Sequence, residues 1–324
     1  MKLYFAPMNL LSNYVYRHIL LENSADFVFS ELIMLDKLGS EIEKDKLKFI
    51  KGDLQKTVFQ IGTSDKKELA KGIKKLKELI PSIKEINLNM GCPQSTMLQK
   101  KICGGILTDK VLMKELCLEL AVQSKLHDII PSVKLRLGTD KNNIEINEYL
   151  RILQESNINK VYIHARPNKY SYQKVATYDS LIDIKKDFPK MSIIINGDID
   201  SYDKYKEIIK INPDGIMIGR AALSNPLIFE QIKNKRIINS IKFNPVLNDP
   251  NIILKNKKHI LSKEKQNIIK DLISLAVKEK LRYVLLKNNL IYLMKGLTNN
   301  SVFMKKVNLA SSVNVIEELY SDYF

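Results

Sequence analysis

No two cysteines of this chain stand in a Cys-x-x-Cys pair, and no two histidines in a His-x-x-x-His pair. There are three cysteines (Cys92, Cys103, Cys117) and four scattered histidines (His18, His127, His164, His259). Those absences argue against a zinc site and a dithiol redox motif, so no metal is expected. An odd, sparse set of thiols fits a reducing compartment. No run of about 18 apolar residues occurs, so no membrane span is expected. Pro7, Asn9, Asn13 and Arg17 interrupt the N-terminal stretch MKLYFAPMNLLSNYVYRH, which does not read as a signal peptide. The expected location is the cytoplasm. Internal repeats and long low-complexity segments are also missing. Acidic residues are in deficit, with 36 Asp+Glu against 52 Lys+Arg, and the net charge is +16. Such a balance favours a polyanionic partner through phosphate neutralisation; a lysine-rich solvated surface is the alternative.

What the sequence does hold is alternation. Eight short β-branched or apolar runs recur at 3–8, 27–32, 57–62, 85–90, 132–137, 160–165, 192–199 and 215–220. Runs of this kind suit a parallel sheet buried on both faces. Helical spacing lies between most of them. Leu69, Ile73, Leu76 and Ile80, for example, share one helix face. Eight strands alternating with helices predict an α/β fold, a (β/α)8 TIM barrel; a doubly wound open sheet is the rival. Five of the 12 glycines, Gly62, Gly91, Gly138, Gly197 and Gly219, fall at or just past the strand C-termini. In a barrel those ends share one face, where active sites lie. A dinucleotide fold would instead place a Gly-x-Gly-x-x-Gly after the first strand, where this chain reads PMNLLSN. The barrel is favoured, over residues 1–236.

Past residue 236 the alternation stops. Asn244, Pro245, Asn248, Asp249 and Pro250 read as a connecting stretch. Ile269, Leu272, Ile273 and Ala276 then follow helical spacing, and more helix is expected to the C-terminus, with a break near Gly296 to Asn300. Residues 237–324 carry 14 Lys+Arg and 7 Asp+Glu. They are predicted to form a basic all-helical C-terminal domain, either an RNA-binding platform or a structural cap.

The segment NLNMGCPQSTMLQKKICGGIL (87–107) is the most informative. A strand ends at Met90 and a tight turn lifts Cys92 above the barrel mouth, where a thiol can act as nucleophile or proton donor. Cys103 and Cys117 are better placed as inert core residues. The last two strands of a barrel commonly bind phosphate. Here their loops carry Asn196, Gly197 and Asp198, then Gly219 and Arg220. Glycine exposes backbone N–H groups and Arg220 offers a charged fork. Asp198 suits a hydroxyl donor or an orienting role better than a phosphate. Lys134 and Arg136 alternate on the fifth strand and point to one side, as do His164 and Arg166 on the sixth. Cations inside a barrel need partners. A bound anionic or electron-rich ligand is one answer, and a buried salt bridge with Glu31 is the other.

Taken in order, these pieces resemble the dihydrouridine synthase family. Its signature is similar to NxNxGCP at 87–93 with Gly104-Gly105-x-Leu107 after it. APM (6–8), SEL (30–32), Gln60, VKLRLG (133–138), IHAR (163–166), NGDI (196–199), GIMIGRAALSNPLIF (215–229) and YLMKGL (292–297) follow the family's order. The resemblance implies an FMN-dependent reductase of uridine, with NADPH as electron donor and tRNA as substrate; ribosomal RNA is the alternative target. It implies that Cys92 protonates C5 of uracil while reduced flavin delivers hydride to C6. Pro7, Met8 and Asn9 would meet the flavin, Gln60 its ring, and Lys134 its electron-rich edge. Lys134, Arg136 and His164 would stabilise charge on the carbonyl oxygens. Asn89, Arg136 and Arg166 would contact the RNA base. A monomer with no protein partner is expected.

Departures from the family pattern cluster in the RNA-facing shell. The first turn lacks the small residue, glycine and threonine that usually follow PM. Pro167 and Asn168 stand where threonine and a basic residue are usual, and Gln173 stands near a usual glycine. The rival functions are a small-molecule FMN reductase, dihydroorotate-dehydrogenase-like, and a non-catalytic RNA-binding barrel. Neither requires the whole set of Cys92, Lys134, His164 and the Gly219-Arg220 pair.

Overall fold

A computed structural model describes residues 1–169, 174–234, 263–294 and 300–323. Eight parallel strands close a barrel in chain order: β1 (Lys2–Phe5), β2 (Phe27–Phe29), β3 (Thr57–Gly62), β4 (Glu85–Met90), β5 (Ile130–Arg136), β6 (Lys160–His164), β7 (Ser192–Asn196) and β8 (Gly215–Ile218). Pairing of β8 with β1 completes the ring, Leu3 standing opposite Ile216. Each strand leads into a helix: α1 (Tyr14–Glu22), α2 (Glu41–Leu47), α3 (Lys66–Leu79), α4 (Lys110–Leu126), α5 (Ile146–Glu155), α6 (Ile184–Asp187), α7 (Tyr202–Ile208), and the pair α8 (Arg220–Ser224) and α9 (Ile228–Lys233). Asn13, Ser40, Asp65, Asp109 and Ser201 cap five of them, each side chain accepting the backbone N–H three residues on.

The two faces of each strand differ. Outward residues such as Phe59, Ile61, Ile86, Leu88, Val133, Leu135, Val161 and Ile163 are wholly buried under the helices. Burying such a side chain contributes roughly 1.5–3 kcal/mol, so this shell dominates the stability. Inward residues are aromatic at the base of the barrel and polar above it. At the base, Lys160 Nζ lies 2.6 Å from Glu85 Oε2 and within 5.5–5.7 Å of the ring centres of Tyr4, Phe27 and Tyr162. The Tyr162 hydroxyl donates to Glu85 Oε1 at 2.9 Å. This charged and aromatic plug fills the N-terminal end and leaves the C-terminal end for the site.

The C-terminal segment is helical, as the sequence predicts: α10 (Lys263–Lys278), α11 (Tyr283–Leu293), α12 (Asn300–Leu309) and α13 (Val313–Tyr323). Ile269, Leu272, Ile273 and Ala276 form the buried stripe of α10. The helices sit on the barrel at α1 and α8. The Tyr14 hydroxyl donates to Glu279 O at 2.6 Å. Asn13 Nδ2 donates to Asn289 Oδ1 at 2.7 Å, and Asn289 Nδ2 donates to Leu11 O at 2.9 Å. The expected boundary at 236/237, the connecting stretch at 244–250 and the last residues of YLMKGL lie outside the described residues, as do Gln173 and the expected helix break near Gly296 to Asn300 except for Asn300, which opens α12.

Candidate active site

The mouth of the barrel is built on a polar chain that climbs the interior. Ser132 Oγ accepts from Asn87 Nδ2 at 2.9 Å, and Asn87 Oδ1 accepts from Gln60 Nε2 at 2.8 Å. Gln60 Oε1 accepts from Asn89 Nδ2 at 2.8 Å. Asn89 Oδ1 then accepts two backbone N–H groups, from Gly91 at 2.9 Å and Cys92 at 3.1 Å. The chain ends by shaping the turn that carries Cys92. Of the three cysteines Cys92 alone is not buried. Burial pushes the thiols of Cys103 and Cys117 up, which makes both poor nucleophiles and proton donors.

Around this turn the mouth is cationic. Lys134 is half-buried in the wall, and its ammonium is pushed down to about 7 by desolvation and by Arg136, with Cys92 drawing it the other way. Arg136 is 1% exposed. Its Nε donates to Gly91 O at 3.0 Å and its Nη1 to Pro167 O at 2.9 Å. Arg166, also 1% exposed, donates from Nε to Lys174 O at 2.7 Å, lies 3.1 Å from His164 Nε2 through Nη1, and pairs with Asp198 through Nη2. Asp198 is the hub of the late loops. It bridges Arg166 and Arg220, the latter at 2.8 Å, and accepts the Ala176 N–H at 3.0 Å. His164 is held well below the usual imidazole range, first by burial and then by Arg136, Lys134, Arg166 and Arg220. It is therefore a neutral imidazole in a positive surrounding.

The loops of the last two strands complete the rim. Asn196 Nδ2 donates to Met217 O at 2.8 Å, tying β7 to β8. Gly197 sits at φ +139°, and a Cβ there would stand 2.9 Å from the Ala176 Cβ, so the position requires glycine. Its carbonyl accepts the Tyr178 hydroxyl. Gly219 opens α8, and nothing but the Ala6 Cβ at 3.7 Å stands near where its own Cβ would be. Arg220 beside it is 26% exposed. Beside Gly219, on the turn after the neighbouring strand β1, Pro7 and Met8 are half-buried and Asn9 is exposed. Met8 N–H donates to Ser12 Oγ at 3.0 Å, and Leu10 N–H donates to Glu31 Oε2 at 2.7 Å. Glu31 thus anchors the first turn.

A family model described as dihydrouridine synthase (Dus) matches residues 4–292. The chain belongs to the dihydrouridine synthase family. It is 30% identical over 258 residues to tRNA-dihydrouridine synthase B of Pasteurella multocida, covering 79% of this chain and 76% of that protein. A probable tRNA-dihydrouridine synthase of Helicobacter pylori is 26% identical and aligns with 99% of this chain and 92% of its own. Among solved structures, a variant of NCR from Zymomonas mobilis superposes with a TM-score of 0.50 at 13% identity, over 77% of this chain and 92% of that one. Morphinone reductase in complex with tetrahydroNAD also gives 0.50, at 10% identity, over 75% and 89%. At such identities the likeness is one of fold.

Within this member of the dihydrouridine synthase family, the mouth brings together Cys92, Gln60, Asn89, Lys134, His164, Asn196, Gly197, Asp198, Gly219 and Arg220. Pro7, Met8 and Asn9 face them from the first turn. Arg136 and Arg166, expected on the RNA side, are buried, and their guanidinium groups donate to loop carbonyls and to Asp198. Asn89 is likewise engaged in the Cys92 turn and is 8% exposed. Sequence reading gave no role in the site to Asn87, Ser132, Tyr178 or Asn168. The first two were discoverable, since Asn87 precedes Asn89 and Ser132 precedes Lys134 by two residues on the same strand face. Tyr178 and Asn168 act from loops, where no periodicity signals a role.

Proposed function

We propose that this chain reduces the C5=C6 bond of specific uridines in tRNA to 5,6-dihydrouridine, as a monomer that uses FMN and takes its electrons from NADPH. The observation that carries the reading is Cys92 held on a built turn at a cationic barrel mouth, beside Lys134. The residues present fit an anionic flavin. Arg166 and Arg220 share the carboxylate of Asp198, and burial together with Arg136, Lys134, Arg166 and Arg220 holds His164 well below the usual imidazole range. A dianionic phosphate and an electron-rich ring offset such a field. Gly219 and Arg220 suit the phosphate, and Lys134 and Gln60 the ring, with Pro7, Met8 and Asn9 along its side. FMN, when bound, supplies hydride transfer, accepting from NADPH and giving to C6 of uracil.

The protein's own part is position and proton. Cys92 gives its proton to C5 as general acid. Lys134 and His164 hold the charge that develops on the uracil carbonyl oxygens. Arg136, Arg166 and Asp198 keep the walls in place. A base stacked in RNA cannot enter this mouth, so the uridine is turned out of its stack. The basic C-terminal helices carry the RNA backbone. The test is a dihydrouridine map of total RNA from cells lacking this gene, restored with the wild-type gene or with Cys92→Ala. Specific tRNA sites disappear and return only with the wild type. Purified Cys92→Ala stays yellow and loses about 10²-fold or more of the activity. Full turnover by this variant removes Cys92 from the chemistry, and loss of a ribosomal RNA site alone changes the target. An unchanged map overturns the RNA reading in favour of a small-molecule reductase.

A further inference from the structure

The turn that carries Cys92 is held from inside by Asn89. It is also held from outside, by the segment that follows β6. Asn168 Nδ2 donates to Gly104 O at 2.6 Å, and Gly104 N–H donates to Cys92 O at 3.2 Å. Cys92 is joined by its peptide bond to Gly91, whose carbonyl accepts from Arg136 Nε at 3.0 Å. Arg136 Nη1 donates to Pro167 O at 2.9 Å, and Pro167 leads by its peptide bond to Asn168. The circuit is closed. Every link in it is a hydrogen bond or a peptide bond.

Three observations make Asn168 its adjustable member. Its own backbone is fixed by the N–H that donates to Gly138 O at 2.8 Å. Its side chain is 4% exposed, and the amide Oδ1 has no partner among the described residues. Exchanging the two ends of the amide would aim an oxygen at the Gly104 carbonyl oxygen, so the donor orientation is set. Gly104 admits no side chain. A Cβ there would lie 2.4 Å from Cys92 O and 3.1 Å from Asn168 Oδ1. A buried polar residue whose amide is half unsatisfied among the described residues is poorly explained by stability, because an unpaired buried acceptor costs free energy. It is explained by what its donor holds.

We infer that Asn168 is a positioning residue for Cys92, clamping the Gly104 carbonyl so that the cysteine turn keeps a fixed height over the barrel mouth. The position serves the cysteine loop from within. The inference rests on the reading of Cys92 as proton donor, and its test separates the two. Flavin-loaded wild type, Asn168→Ala, Asn168→Asp and Asn168→Ser are compared in three measurements: alkylation of Cys92 by iodoacetamide, flavin reduction by NADPH, and flavin reoxidation by unmodified tRNA. In Asn168→Ala, flavin reduction stays within twofold, Cys92 is alkylated at least threefold faster, and reoxidation by tRNA slows about tenfold at saturating tRNA. Asn168→Asp is slower again, since a carboxylate faces the Gly104 carbonyl, and Asn168→Ser recovers part of the loss. Wild-type alkylation and reoxidation in Asn168→Ala overturn the inference. Amide exchange in the wild-type protein tests it without any variant: the Gly104 N–H is protected, and fast exchange there overturns the clamp. Should Cys92→Ala turn over in full, the proton-donor reading fails while alkylation and exchange still judge the clamp.

Discussion

His164 stands where four positive side chains converge, and its protonation is costly for the fold. Its imidazole lies well below the ordinary range, whereas in the unfolded chain it titrates near 6.5. Below about pH 6.5 the unfolded chain therefore binds a proton that the folded one refuses. Stability rises with pH through this window and is lost as pH falls from 7 to 5. His164→Asn removes that contribution. Urea midpoints at pH 5 and 7 are expected to differ less in the variant than in the wild type; an equal difference would place the acid limb elsewhere. His164, Lys134 and Cys92 were legible in the sequence because strand alternation and a Gly-Cys-Pro turn fix where they point. The hydrogen-bond partners of Arg136 and Arg166 were not. Alternation says that they face inward. It cannot say that loop carbonyls at Gly91, Pro167 and Lys174 take their N–H groups, since a backbone carbonyl leaves no residue signature in a sequence.

Among elements, strands were read to within a few residues and helices less well. Runs such as TVFQIG and EINLNM coincide with β3 and β4, because both strands are apolar on the outer face and end in a glycine or beside one. The short helix α6 was not singled out, as four residues cannot display a period. The sequence presented the C-terminal helices as an appendage, and it did not show that α11 packs behind the first turn. Asn289 is fully buried and joins the Asn13 amide to the Leu11 carbonyl, just behind the turn of Met8 and Asn9. Asn289→Leu leaves both groups unpaired, with an expected loss of about 2–3 kcal/mol in chemical denaturation. Binding of flavin should weaken with it, because the first turn loses its backing. A variant as stable as the wild type would mean that the helices merely rest on the barrel.

For the molecule as a whole, the charge of +16 has a measurable signature under the proposed reading. RNA binding that neutralises about four phosphates releases about three to four counterions, and affinity for tRNA then falls about 50- to 150-fold between 50 and 200 mM monovalent salt. Filter binding or fluorescence anisotropy across that range checks it. A flat response would leave the basic surface as solvated lysine only. The fold class was readable from the alternation of eight strands, but the contents of the barrel were not, since inward side chains of distant strands meet only after closure.

Glu85, Lys160 and their three aromatic neighbours give the molecule the shape of a stoppered bottle. It has a neck and no drain. Nothing can enter from one end while something else leaves by the other. Whatever the barrel admits and whatever it releases pass through the same opening, because Glu85, Lys160 and their aromatic neighbours occupy the opposite end.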